Sequence, residues 1–107
     1  MPPSTESTSF LAEMSITNNS IPRHHPQTAS RIFEGEAVII SPTQNKVRML
    51  NLTGSRIWEL ADGSHTLTEI AAILSEEFQV TPDDALNSVR TFVEELVAQQ
   101  LLVLEET

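Results

Sequence analysis

The sequence predicts an α+β fold: a three-stranded antiparallel sheet followed by three α-helices. Three observations lead there. Between Thr28 and Asn51, β-prone runs are separated by turn residues. After Thr53, apolar residues recur at helical spacing. Each helix also opens on a threonine of capping type.

Residues 1–26 are rich in Ser, Thr, Asn and Pro with scattered apolar positions, the composition of a flexible tail or loosely docked arm. Within them, Phe10, Leu11, Met14 and Ile16 are able to touch a domain spanning residues 27–107. TASRIF, EAVIIS and KVRMLN then read as strands. Glu34-Gly35 turns between the first two, and SPTQN between the last two. In KVRMLN, Lys46 and Arg48 alternate with Val47 and Met49, the pattern of a strand with one wet face. AVII is apolar on both faces and therefore central.

The first helix is expected to start at Thr53 as N-cap, to bury Ile57, Trp58, Leu60 and Ala61, and to stop at Asp62-Gly63. Thr66 and Glu69 form a capping box for the second, in which each side chain satisfies an exposed backbone amide. Its stripe is Leu67, Ile70, Ala71, Leu74 and Phe78. The third opens with Thr81 as cap, Pro82 at the first helical position, and Asp83 and Asp84 at the positive end of the dipole. Ala85, Leu86, Val89, Phe92, Val93, Leu96 and Val97 form its apolar face. LLVLEE then closes the chain as an extended piece or one more packed turn. The order of elements is that of a winged helix-turn-helix.

Chemistry is largely excluded by what the sequence lacks. With no cysteine there is no disulfide, thiolate ligand or redox couple. His24 and His25 have no third ligand at metal-site spacing, and His65 precedes a helix cap as a packing residue. The carboxylate pairs Glu76-Glu77, Asp83-Asp84 and Glu94-Glu95 are adjacent on helices and point in different directions, so none is a catalytic dyad. The three glycines are isolated. No enzyme, cofactor or metal is expected. No apolar run reaches the roughly 18 residues that span a membrane, and the N-terminus has no basic and apolar export signal. A cytoplasmic protein is the expectation.

A helix-turn-helix raises the question of DNA, and charge answers it. The net charge is −9, and residues 52–107 set Arg56 and Arg90 against eleven carboxylates. The third helix would be the reading helix, yet Arg90 is its sole cation. Phosphates would repel it. The sheet remains. If KVRMLN is an edge, its unpaired backbone groups can accept an extended peptide as a fourth strand. Lys46 and Arg48 would project beside the guest, with Leu86, Val89 and Val93 as apolar wall and Arg90 as a charged contact. The rival readings are an edge that carries charge only to avoid aggregation, an edge that pairs with its own copy as a homodimer or regulatory module, and, more remotely, a DNA-binding regulator.

One further observation bears on that choice. LN-x-TG-x-x-IW-x-L-x-DG, here LNLTGSRIWELADG, is followed by T-x-x-EIA-x-x-L and by a last helix of V-x-x-FV-x-x-L type. In this order and spacing, over about residues 28–104, the sequence resembles the PqqD family of peptide-recognition proteins. The resemblance implies three strands followed by three helices, with no catalysis. It also implies a leader segment of a ribosomally made precursor bound as an added strand, and presentation to a modifying enzyme, often a radical S-adenosylmethionine protein. The implied guest site is Lys46, Val47, Arg48, Met49 and Leu50, walled by Leu86, Val89, Arg90 and Val93. LNLTGSRIWELADG then serves as scaffold, with Trp58 in the core. Two positions depart from the family pattern. Ser88 stands where an acid is common. Gln100 stands where a glycine often precedes the final Leu-Leu, so the last helix is expected to run on.

Overall fold

A computed structural model of the chain describes residues 16–41 and 45–105. Strands β2 (Ala29–Phe33), β3 (Glu36–Ser41) and β4 (Lys46–Met49) follow β1 (Ile21–His24). Helices α1 (Leu52–Leu60), α2 (Leu67–Phe78) and α3 (Pro82–Ala98) come next, and β5 (Leu102–Glu105) ends the described chain. The expected sheet is present, antiparallel, in the order β2-β3-β4. Glu34 (φ 53°) and Gly35 (φ 84°) join its first two strands. Two successive positive φ values make a type I′ turn, whose twist matches that of the strands it links. Most of the expected SPTQN turn, residues 42–44, lies outside the described residues.

Two helix starts form as the sequence predicts. Thr66 accepts from the Glu69 amide while the Glu69 carboxylate accepts from the Thr66 amide. Thr81 accepts from the Asp84 amide, with Pro82 first in the helix. The first helix differs. Its cap is Asn51, whose side chain accepts from the Gly54 amide at 2.8 Å, so α1 begins at Leu52 and Thr53 lies inside its first turn. Either residue type can cap; Asn51 does so because the strand ends before it and holds it in extended backbone.

The core lies between the inner sheet face and the helices. Ile39, Ile57, Trp58, Leu67, Ile70, Leu74, Val89, Val93 and Leu96 are all buried there. Phe78, expected on the same stripe, is exposed at the last residue of α2, before the left-handed Gln79. The buried hydroxyl of Ser55 accepts from the Ala37 amide at 2.6 Å and donates to the Leu50 carbonyl at 3.3 Å, tying α1 to β3 and to the exit of β4. Trp58 donates its indole N–H to Ser30 Oγ at 3.0 Å. His24 stacks on that indole, with ring centroids 3.7 Å apart, and donates from Nε2 to the Trp58 carbonyl at 2.8 Å.

That stacking corrects the expectation for residues 16–26, which are docked rather than tail-like. β1 pairs antiparallel with β5, giving a second, two-stranded sheet, and Arg23 bridges to Glu105. Backbone bonds add to this. Leu67 and Thr68 donate to the carbonyls of Ser20 and Asn18, and Gly63 donates to Pro22. Ile16, the one of the four apolar arm residues that is described, is buried in the core. Phe10, Leu11 and Met14 lie outside the described residues. Among the described residues, no helix is long and apolar enough to cross a membrane.

The last helix does not run on through Gln100. Gln100 takes φ 63°, its amide donates to Val97 O, and the Leu101 amide donates to Leu96 O. This is a Schellman ending, with Leu101 buried beside Leu96. A left-handed backbone costs a side-chain-bearing residue roughly 1–2 kcal/mol, partly offset by the extra unfolded-state freedom of glycine. Gln100→Gly is therefore expected to raise stability by up to about 1 kcal/mol, read as a higher urea midpoint at unchanged slope.

Two carboxylates sit below their ordinary pKa. Hydrogen bonds from Ser64 lower Asp62, chiefly through its hydroxyl, and the Arg56 guanidinium lowers Glu77 through a two-pronged bond. A lowered folded-state pKa stabilises the protein above the unfolded value, about 4, and that contribution disappears as pH falls through the folded value. The urea midpoint is expected to stay flat from about pH 7 to 5 and to drop below about pH 4. Asp62→Asn should shallow that drop slightly, because both groups are largely exposed.

Candidate functional site

Among the described residues β4 is an edge strand, and its register decides which of its backbone groups are left unpaired by β3. Val38, Ile39, Ile40 and Ser41 of β3 stand opposite Met49, Arg48, Val47 and Lys46. The Leu50 amide donates to the Ala37 carbonyl at 2.9 Å, one step further along the same ladder. In an antiparallel pair, hydrogen-bonded and non-bonded residue pairs alternate. Leu50, Arg48 and Lys46 therefore spend their backbone groups on β3, whereas the N–H and C=O of Val47 and Met49 point to the open edge.

Side chains alternate on the same register. Arg48 is paired with the buried Ile39 and turns inward, toward α3. Its guanidinium donates to Gln99 Oε1 at 2.6 Å and to Glu95 Oε2 at 2.8 Å, clasping strand to helix. The pair is about 30% and 47% exposed, so its net worth is about 0.2–1 kcal/mol, small enough for a competitor to displace. Leu50, also inward, is core. Val47 and Met49 face outward and are about two-thirds exposed, beside Ile40 and Phe33 on the outer sheet face. Lys46 has no ion-pair partner among the described residues.

The helical side differs from the expected wall. Val89 and Val93 are wholly buried and hold α3 on the core. Leu86 is half-buried against the same cluster. Arg90 donates to Asn18 Oδ1 at 3.0 Å, toward the N-terminal arm. The apolar stripe is spent on seating the helix, so Val89 and Val93 lie in the core, and Arg90 turns to Asn18. Toward β4, α3 presents Glu95, continued by Gln99, while Ser88, Thr91 and Phe92 line a depression against the start of α1. Sequence reasoning passed over these because polar residues on a helix ordinarily face solvent. The i, i+3, i+4 alignment of Ser88, Thr91 and Phe92, with one aromatic among polar neighbours, was the available signal.

Two depressions lie along the strand–helix boundary. One, beside the start of β4, has Ile39 and Leu101 with Lys46, Arg48 and Gln99. The other, beyond the end of β4, has Gly54, Ile57 and Phe92, rimmed by Asn51, Ser88 and Thr91. Gly54 is required at this approach: a Cβ there would meet Phe92 Cε1 at 2.9 Å and Asn51 Oδ1 at 3.2 Å. Between the two stands the Arg48–Glu95 clasp. Among the described residues no three His, Asp or Glu side chains gather as metal ligands.

A short sheet whose β4 edge is unpaired among the described residues, set against a long helix across a groove, is the architecture of a small recognition domain that can be extended by a strand. The chain belongs to the PqqD family: residues 36–102 match the family described as coenzyme PQQ synthesis protein D. No curated protein matches it. Three solved structures share its fold, each with a TM-score of 0.71. TbiB1 in complex with the TbiA(beta) leader peptide is 24% identical, over 75% of this chain and 93% of that one. A lasso peptide synthetase B1 complexed with its leader peptide is 19% identical, over 78% and 98%. The PqqD truncation of Methylobacterium extorquens PqqCD, a stand-alone recognition element for ribosomally synthesised and post-translationally modified peptides, is 20% identical, over 84% and 96%.

The alternation of bonded and free amides on β4 has a direct measure. In native-state hydrogen exchange, the Arg48 and Leu50 amides should be protected and the Val47 and Met49 amides should exchange at least tenfold faster. Uniform protection along the strand would mean the edge is covered.

Proposed function

We propose that this chain is a non-enzymatic adaptor that binds the leader segment of a ribosomally made precursor peptide and presents it to a modifying enzyme. The observation that carries this reading is the open β4 edge, where the backbone groups of Val47 and Met49 point outward beside the groove against α3. Membership of the PqqD family supports it, as do neighbours of the same fold that hold leader peptides. The guest adds as a fourth strand through up to four backbone bonds, each worth about 1 kcal/mol net. Its inward side chains enter the two depressions. The guest site is read as Lys46, Val47, Arg48, Met49 and Leu50 on the strand, with Ser88, Thr91, Phe92, Glu95 and Gln99 on the helical side.

Catalysis has no place in this reading, in which the groove only binds. DNA binding is disfavoured by α3 itself, where Arg90 is engaged by Asn18 while Asp83, Asp84, Glu94 and Glu95 are exposed. The adaptor would act in the cytoplasm, where the precursor is made.

Val47→Pro tests the edge. Proline removes one outward donor and leaves the β3 ladder intact, because the Val47 amide takes no part in it. A guest carbonyl stranded beside it costs about 1–3 kcal/mol, so leader affinity should fall about 5- to 100-fold in a protein with unchanged circular dichroism. Unchanged affinity would move the site elsewhere. Sedimentation across a concentration series separates the rival homodimer, which would use the same edge.

A further inference from the structure

The geometry points to a two-part specificity in the groove: an apolar side chain, then a carboxylate two residues later in the guest. The inference rests on the adaptor reading and deepens it. Residues directly opposite in an antiparallel pair project from the same face. Guest residues that bond to Val47 and Met49 therefore send their side chains outward, while those opposite Leu50, Arg48 and Lys46 send theirs into the groove. An antiparallel guest meets these three positions in that order, at every second residue.

Each inward position meets different chemistry. Opposite Leu50 and next to Asn51, the guest reaches the depression floored by Gly54, Ile57 and Phe92, which has no charged group but Glu95 at its rim. A leucine- or phenylalanine-sized chain fits it. Opposite Arg48, the guest reaches a guanidinium already engaged by Glu95 and Gln99. The forked donors of arginine match a carboxylate, so a guest Asp or Glu displaces Glu95 and takes its bond. A guest Lys or Arg there meets Arg48 directly. Opposite Lys46 stands an ammonium without an ion-pair partner among the described residues, so acid is favoured at that position too.

The chain's net charge of −9 opposes an acidic guest at long range. The Debye length at physiological salt is about 8 Å, so the cations within the groove decide the preference once contact is made. Glu95 acts as a resident competitor. It keeps Arg48 aimed along the groove and yields its bond only to a guest carboxylate, which is the only guest that gains when it is removed.

The test uses the full chain and fluorescein-labelled dodecapeptides with blocked ends, identical except for a central Leu-Thr-Glu, Leu-Thr-Gln, Leu-Thr-Lys or Ala-Thr-Glu, titrated by anisotropy. Relative to Leu-Thr-Glu, the Gln peptide is expected to bind about fivefold more weakly, the Lys peptide about fiftyfold and the Ala peptide about tenfold. Arg48→Gln should erase the differences among Glu, Gln and Lys while leaving the Ala deficit. Glu95→Gln should strengthen the Glu peptide several-fold and leave the Gln peptide unchanged. Equal binding of the Glu, Gln and Lys peptides by the native chain, with binding still lost in Val47→Pro, would overturn the carboxylate preference and keep the strand edge. Tighter binding of the Lys peptide would make Glu95 the reader and overturn it as well. Absence of binding by all four peptides at about 100 μM would overturn the edge reading and this inference together.

Discussion

One backbone bond, from the Leu50 amide to the Ala37 carbonyl, fixes what the rest of the molecule can do. It sets the parity of the β4 ladder, and parity sends Arg48 inward while leaving Val47 and Met49 with free backbone groups. A slip of one residue would exchange the two sets, burying Val47 and Met49 beside α3 and turning Arg48 out. Ser55 guards against that slip. Its hydroxyl joins the same two residues from the other side, taking the Ala37 amide and giving to the Leu50 carbonyl. It lies inside the fixed frame of α1, whose start is set by Asn51. Register, strand exit and helix start are thus one constraint, contributed by Leu50, Asn51, Gly54 and Ser55 of LNLTGS and Ala37 of β3.

Division of labour on α3 follows from the same economy. A helix buries one stripe, and here the stripe is spent on the core through Ala85, Val89, Val93 and Leu96. Whatever α3 presents to the groove must come from a different face, which in a protein of this charge is polar. Its one aromatic, Phe92, reaches α1 only because Gly54 has no Cβ. The groove therefore owes its apolar floor to a glycine on one helix and an aromatic on another, neither remarkable alone.

What could be read from the sequence tracks how local each cause is. The Thr66–Glu69 box, the Thr81-Pro82 start and the Glu34-Gly35 turn are settled within four residues, and their sequence signals match the structure. The strand itself, Lys46 to Met49, was legible because alternation is local, but its wet face was not: Arg48 turns inward to Glu95 and Gln99, while Val47 and Met49 are the exposed side chains. Asn51 and Thr53 compete as caps at nearly adjacent positions, and the choice depends on where β4 ends, which is a tertiary matter. Residues 16–26 were the hardest. Their partners are β5, some eighty residues on, and the backbone of the α1–α2 turn, so composition carries no trace of the pairing. That Val89 and Val93 are spent on the core could not be read from the sequence, because their burial is a fact about the assembled core. Gln100 shows the converse: the family-typical glycine marks a left-handed position that persists when glutamine fills it.

An exposed edge needs protection from its own kind, and charge on the edge is a common device. That device is weak here, because Arg48 is turned inward and Lys46 is the one charged side chain among the exposed residues of β4, beside Val47 and Met49. Two other features limit self-pairing. β4 is only four residues long, so a copy adding to it gains few bonds, and each copy carries nine net negative charges. A guest peptide escapes both limits. On the proposed reading it would enter beside α3, where its alternate side chains would meet Phe92, Arg48 and Lys46, contacts that a folded copy of this chain would have to rearrange to reach. Selectivity for a visitor over a twin therefore comes from the groove beside the strand, and the bare backbone of β4 supplies only the part of the affinity that any extended chain could claim.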